Sequence, residues 1–208
     1  RSNSHIRIGT FHRLKYLNEN DNIALLLHHL SENYFTTIKP NKNIKILAEH
    51  IFSEIVKSIA ESIGRVVISG FVHGVLNTDN FNVTGEIFDY GPWRFIEFAN
   101  TSFTAAYFDN NGRYSFGRQP DAALWALTQL GKSLNEFIEE KTIIETLNQF
   151  SKNFHVSLKK HFCWRMGIRD IESKNLNKIM IILLNESEKN KINYAELFYD
   201  FYGGRDAI

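Results

Sequence analysis

The stretch HGVLNTDNFNVTGEIFDYG, from His73 to Gly91, concentrates side chains that can do chemistry. It places Asp79 and Asn80 side by side and adds a further oxygen ligand, Asp89, later in the same stretch. Mg²⁺ prefers oxygen ligands and takes one or two from a protein, with phosphates and water supplying the rest. A second carboxylate near the metal can accept a proton from an attacking hydroxyl. The stretch therefore predicts neighbouring hairpin strands on which Asn80 and Asp89 bind a metal and Asp79 acts as a base.

The order of these residues follows the catalytic loop of protein kinases, H-R-D-x-x-x-x-N followed by D-F-G. His73 and Asn80 have the kinase spacing, and Asp89 begins a D-Y-G triplet that corresponds to D-F-G. Val75 occupies the position of the kinase catalytic aspartate, whereas Asp79 directly precedes the metal-binding asparagine. The pattern predicts an intact metal pair with a relocated base. His73 is predicted to be a packed core residue.

Each of these residues taken singly has a simpler explanation, because Asp and Asn in turns usually bond to their own backbone. The combination is more specific than its parts. An apolar helical pattern precedes the stretch, the interval from His73 to Asn80 matches, and D-x-G follows.

The bulk composition is that of an ordinary globular protein, with 43% hydrophobic and 23% charged residues among 208. The net charge of +1 does not indicate that the protein binds nucleic acid. No apolar run approaches the ~20 residues that are needed to span a bilayer. We therefore expect neither nucleic-acid nor membrane partners. The single cysteine, Cys163, rules out an intrachain disulfide and indicates a reducing, cytoplasmic compartment.

Apolar periodicity predicts a mainly α chain with a small β element, an α+β fold in which helices surround a turn-rich site. With three prolines and no linker-like stretch, residues 1–208 are expected to form a single domain, and the oligomeric state stays open. Short strands are expected between residues 66 and 95, where β-branched runs alternate with glycines. Helices are expected within 18–35, at 43–63 with Gly64 as its end, within 120–138 with Pro120 at its start, and at 141–161, 175–187 and 194–201.

Four segments, in order, resemble the signature blocks of the SelO family, also called YdiU. They are SHIRIGTF (Ser4–Phe11), HGVLNTDNF (His73–Phe81), DYGPW (Asp89–Trp93) and GRYSFGRQP (Gly112–Pro120). The resemblance implies the large, C-terminal lobe of a protein kinase-like fold. It also implies a metal-dependent pseudokinase that binds ATP in a reversed orientation and transfers AMP to hydroxyl side chains of proteins (AMPylation).

Carried over residue by residue, the resemblance implies that Asp79 is the catalytic base. It implies that Asn80 and Asp89 bind Mg²⁺ or Mn²⁺, with Asp89 also beside the nucleotide. Arg7 becomes a nucleotide-binding residue that contacts phosphate, a role that suits the donor fork of a guanidinium. The implied partners are ATP as co-substrate and proteins bearing Ser, Thr or Tyr.

The resemblance further implies that the family's small lobe lies upstream of residue 1, so the chain is expected to be an incomplete fragment. Half of an ATP cleft binds nucleotide weakly, because the opposite wall supplies much of the burial and a cationic clamp. We expect the isolated chain to show little or no AMP transfer. Two alternatives stay open: a small-molecule or protein phosphotransferase of kinase-like fold, which needs an aspartate where Val75 stands, and a non-catalytic nucleotide-binding scaffold.

Overall fold

A computed structural model describes residues 2–38, 41–168 and 173–202, and most of these residues are helical. The helices are α1 (Ile8–Tyr16), α2 (Asn20–Asn33), α3 (Ile44–Ser69), α4 (Gln119–Ser133), α5 (Glu140–Met166), α6 (Ser173–Asn190) and α7 (Tyr194–Asp200). Two short strands, β1 (Phe71–Val72) and β2 (Arg94–Phe95), form an antiparallel pair. The prediction of a mainly α chain with a small β element is confirmed. None of the helices in these ranges is long and apolar enough to cross a membrane.

The chain groups into two compact units. The first comprises Arg1–Ser62, Leu76–Asp89 and Pro120–Phe154, and the second comprises Ile63–Val75, Tyr90–Gln119 and His155–Ile208. All four predicted site residues fall within the first unit. The expectation of a single domain concerns independent folding and stays a prediction.

Helix α1 is held in the first unit by its apolar face. Ile8 and Phe11 are three positions apart, so they project from one side of the helix, and both are fully buried. The helix packs on α2 and on the short 3₁₀ turn at Thr78–Asn80. Burying an Ile or Phe side chain stabilises a fold by about 1.5–3 kcal/mol. These two residues therefore fix the start of α1 beside the turn that carries Asp79.

Helix α3 is longer than predicted, and the expected end at Gly64 is wrong. The helix continues to Ser69, and Gly70, at φ +74°, follows it in the left-handed conformation typical of a C-terminal glycine. A Cβ at Gly64 would lie 2.5 Å from the Ser157 Oγ and 2.7 Å from its Cβ. Gly64 thus permits α3 and α5 to approach closely and does not terminate the helix.

The region between residues 66 and 95 contains less β structure than predicted. Val66 and Val67 are β-branched but belong to α3, because tertiary packing overrides a weak strand propensity. Beyond β1 and β2, an isolated antiparallel bridge joins Phe81 to Ile87. Asn80 and Asp89 therefore lie at the open end of a very short hairpin and not on regular strands.

Candidate functional site

The backbone that precedes α1 is paired with the first arm of the hairpin. The Ile8 amide donates to the Phe81 carbonyl at 3.0 Å, and the Val83 amide donates to the Ile6 carbonyl at 3.0 Å. Because both bonds join backbone atoms, they fix this segment's register along the hairpin. The pairing places the start of α1 beside the hairpin that Asn80 precedes and Asp89 follows.

Glu86 connects Asn3, near the N-terminus, to the hairpin turn through hydrogen bonds. Its Oε1 accepts from the Asn3 amide at 3.1 Å and from the Asn3 Nδ2 at 2.6 Å, and its Oε2 accepts from the Thr84 hydroxyl. Partial burial by itself raises the pKa of Glu86, but hydrogen bonds from Thr84, from Asn3 and from its own backbone amide together outweigh this effect. The pKa therefore lies below its usual value.

We expect Glu86→Gln to destabilise the protein by about 1 kcal/mol at pH 7, a figure for hydrogen bonds to a charged group that is discounted for solvent exposure. A carboxylate whose pKa is lowered by folding contributes stability above its unfolded pKa of about 4.3. This stability is lost as pH falls through the folded pKa. The difference in unfolding free energy between wild type and Glu86→Gln should therefore disappear below about pH 4. Urea unfolding at pH 7, 5 and 3.5 measures it.

The matched control is Glu54→Gln, because Glu54 lies on α3 and forms a 3.6 Å surface ion pair with Lys57. Its effect should stay below about 0.5 kcal/mol at every pH. A Glu86→Gln deficit that persists unchanged at pH 3.5 would contradict the assigned role of the Glu86 charge.

Asn80 is buried and rigidly oriented. It ends the 3₁₀ turn, and its Oδ1 accepts from the Asn77 amide at 3.2 Å in a capping-box arrangement. Its Nδ2 donates to the Phe88 carbonyl at 3.4 Å. An amide oxygen has two lone pairs, so Oδ1 retains the capacity for one further partner. The Phe88 contact ties Asn80 to the residue immediately before Asp89.

Asp89 has a left-handed backbone conformation. Its φ is +62°, in the left-handed region that a non-glycine residue other than Asn or Asp rarely adopts. Its Oδ2 accepts from the Arg7 Nη1 at 2.8 Å, and the Arg7 guanidinium lies 4.3 Å from the centre of the Phe88 ring.

The ion pair between Arg7 and Asp89 is solvent-exposed, with 39% and 53% of the two side chains accessible. An exposed pair of this kind contributes about 0–1 kcal/mol. A ligand that offers phosphate oxygens to Arg7, or a cation to Asp89, can therefore break it at low cost.

Asp79 differs in its contacts from Asp89, the other acidic residue of the site. Its side chain is exposed, and it makes no hydrogen bond or salt bridge with any residue that the structure describes. The carboxylate lies against Gly9 in the first turn of α1. Arg7 and Gly9 are two positions apart, so one short segment contacts both Asp89 and Asp79.

The oxygen donors here match the chemistry of a hard cation. Across residues 2–38, 41–168 and 173–202, no group of three or more His, Cys, Asp or Glu side chains could hold a metal ion. A metal at this site would rest on the amide of Asn80 and the carboxylate of Asp89, with further oxygens from phosphate and water. Such a set fits Mg²⁺ or Mn²⁺.

The predicted residues are therefore connected through a small number of contacts. Arg7 meets Asp89 directly, Asn80 meets the residue before Asp89, and Asp79 meets the segment that carries Arg7. His73 is fully buried, as predicted.

Three further residues contribute to the site, and the sequence alone assigned a role to none of them: Gly9, Asn77 and Phe88. Asn77 and Phe88 had a usable signal, since each stands within or beside the quoted motifs. Gly9 also stands within a quoted motif, SHIRIGTF, but its role could not be assigned, because a glycine that makes room for a distant side chain leaves no mark on spacing or periodicity.

Comparison with known proteins identifies relatives along almost the whole chain. A family model described as "Protein adenylyltransferase SelO" matches residues 1–204. A protein of Trichormus variabilis named "Protein nucleotidyltransferase YdiU" is 34% identical over 197 residues, covering 95% of this chain and 40% of the relative. A Synechocystis protein of the same name is 41% identical over 151 residues, covering 73% of this chain and 32% of the relative. The chain thus spans less than half the length of these relatives.

Proposed function

The chain belongs to the SelO family of protein adenylyltransferases, and on this basis we propose that it transfers AMP from ATP to hydroxyl side chains of proteins. The observation that carries the proposal is the arrangement of the first unit. The exposed carboxylate of Asp79 lies against Gly9. Arg7, two residues earlier in the same segment, forms an ion pair with Asp89, the proposed metal ligand. We further propose that the fold is the large lobe of a kinase-like pseudokinase.

In the proposed reaction, Asp79 is the general base. A hydroxyl oxygen of the acceptor attacks the α-phosphorus of ATP, the bond from that phosphorus to the pyrophosphate oxygen breaks, and pyrophosphate leaves. The proton of the hydroxyl passes to Asp79. The carboxylate suits this role because it is exposed and has no hydrogen-bond partner among the described residues that must first be displaced.

Asn80 and Asp89 are proposed to hold Mg²⁺ or Mn²⁺, which supplies charge neutralisation at the phosphates of the co-substrate ATP. Asn80 contributes an amide oxygen whose direction is fixed by its contacts with Asn77 and Phe88. Asp89 contributes the negative charge, and its backbone conformation sets where its carboxylate points. Two protein ligands are typical of a magnesium site that also binds nucleotide.

Arg7 is proposed to bind a phosphate of ATP. Its planar donor fork matches phosphate oxygens, and packing over the Phe88 ring limits the orientations of its guanidinium. Without nucleotide, Arg7 pairs with Asp89 through an exposed contact that costs little to break. Nucleotide binding would therefore exchange this contact for charge-assisted hydrogen bonds to phosphate.

A phosphotransferase is the weaker alternative, because the position of the kinase catalytic aspartate holds Val75, which offers no oxygen. A non-catalytic nucleotide-binding scaffold is the other alternative. A scaffold of this kind does not require an exposed carboxylate at Asp79 that lies against Gly9.

Two labelled forms of ATP test the proposal. The protein, with any natural sequence that adjoins these 208 residues, is incubated with candidate acceptor proteins and ATP labelled at either the α- or the γ-phosphate. AMP transfer predicts label in protein from α-labelled ATP alone. Label from γ-labelled ATP alone would identify a phosphotransferase, and nucleotide binding with no label from either form would identify a scaffold.

A further inference from the structure

Gly9 makes direct contact with the carboxylate of Asp79. A Cβ at Gly9 would lie 1.8 Å from Oδ1 of Asp79 and 2.9 Å from its Cγ. The next nearest atom, Oγ1 of Thr78, would be 3.6 Å away, which is an ordinary contact. The Asp79 carboxylate therefore occupies the space that any side chain at position 9 would need.

We propose that Gly9 is a positioning residue for the base of AMP transfer. The carboxylate of Asp79 is exposed and makes no hydrogen bond with the described residues, so its packing against Gly9 in the first turn of α1 restricts where it can lie. Gly9 is what makes that contact possible. The inference rests on the proposed function, because it takes Asp79 to be the base.

The conformation of helix α1 gives no reason for glycine at this position. Gly9 lies in α1, and its φ is outside the left-handed region that favours glycine. In a helix, glycine is less favourable than every residue except proline, and alanine is the most favourable. The demands of α1 alone would therefore select alanine.

The structure also indicates how Gly9→Ala would be accommodated. The atoms that obstruct the new methyl group are the end of a flexible, exposed side chain and not backbone. Rotation of Asp79 about its side-chain bonds relieves the clash while the helix stays in place. The substitution should therefore displace the base without unfolding the protein.

The kinetic test compares Gly9→Ala with wild type in the protein together with any adjoining natural sequence. We expect kcat for AMP transfer to fall about 100-fold, because a misplacement of about 1 Å at a reacting group has that effect. The KM for ATP should stay within about twofold, since Arg7, Asn80 and Asp89 are untouched. The circular dichroism spectrum should be unchanged.

Gly131→Ala is the matched control, because it is also a helical glycine in the first unit. Its Cβ would lie 2.6 Å from the Ile143 Cγ2 and 3.3 Å from the Phe52 Cζ, both core side chains. We expect the opposite behaviour: a lower Tm because the core is overpacked, with kcat per folded molecule unchanged.

A second measurement tests the contact without relying on activity. Alanine at position 9 should raise Tm by about 1–3 °C in an Asp79→Ala background, where helix propensity acts unopposed. With Asp79 present, the gain should be smaller or absent because the carboxylate must move. Equal shifts in the two backgrounds would mean that the residues are not coupled, which would overturn the proposal.

The outcomes separate this proposal from the proposed function. If Gly9→Ala keeps kcat within about threefold while Asp79→Asn abolishes transfer, the positioning role is overturned and the proposed function stands. If the wild-type protein transfers no AMP to any acceptor, the proposed function fails and the catalytic role of Gly9 fails with it. The Tm comparison reports on the contact in either case.

Discussion

Replacing Asp79 with asparagine is expected to lower the rate of AMP transfer by about 10²–10⁴-fold, the usual contribution of a general base. Asparagine has the same shape, so it can occupy the same place against Gly9, but its amide cannot take the proton of the acceptor hydroxyl. The affinity for ATP with Mg²⁺ should change by less than about threefold, because Arg7, Asn80 and Asp89 remain. Initial rates with a labelled acceptor and calorimetric titration with ATP measure the two quantities.

Asp21→Asn is a suitable control for the loss of one negative charge. Asp21 is exposed in the first turn of α2 and lies outside the proposed site, so the rate should stay within about twofold of wild type. Asp79→Asn protein that retains more than about a third of the wild-type rate would rule out Asp79 as the base.

Asp89→Asn is the second change with a large expected effect. It removes the only charged ligand of the proposed metal pair and the ion-pair partner of Arg7. A metal that stabilises transition-state charge contributes several kcal/mol, so transfer should fall at least about 100-fold. Binding of ATP should also lose its dependence on Mg²⁺. Titration with ATP in the presence and absence of Mg²⁺ measures this loss.

Backbone conformation has to be separated from charge in this experiment. Asparagine tolerates the left-handed φ of +62° at this position, and glycine adopts it freely. Asp89→Asn and Asp89→Gly should therefore both fold and both lose Mg²⁺-dependent transfer. If either variant keeps a wild-type response to Mg²⁺, Asp89 is not a metal ligand.

Candidate residues for the site could be chosen from the sequence, whereas the structure around them could not be predicted from it. Asp79, Asn80 and Asp89 could be chosen because metal and proton chemistry require those residue types and because their spacing follows a known loop. Their connection through the segment from Arg7 to Gly9 could not be predicted. It depends on backbone pairing between parts of the chain that are far apart in sequence.

The fold shows the same division between local and long-range information. Apolar periodicity located α3 because its spacing is a property of the segment itself. Gly64 was misassigned because a glycine that ends a helix and a glycine that admits a neighbouring helix look alike in sequence. The distinction lies in Ser157, on α5. Helix α1 was not predicted, since its burial relies on packing against α2 and the turn at Thr78–Asn80.

The mass of the product distinguishes AMP transfer from phosphorylation directly. An acceptor protein is incubated with ATP, Mg²⁺ and the protein with any adjoining natural sequence, and its modified peptides are sequenced by tandem mass spectrometry. The proposed mechanism predicts AMP on the oxygen of a Ser, Thr or Tyr, formed by wild type and absent with Asp79→Asn. A phosphate in place of AMP, or AMP attached equally well by Asp79→Asn, would contradict it.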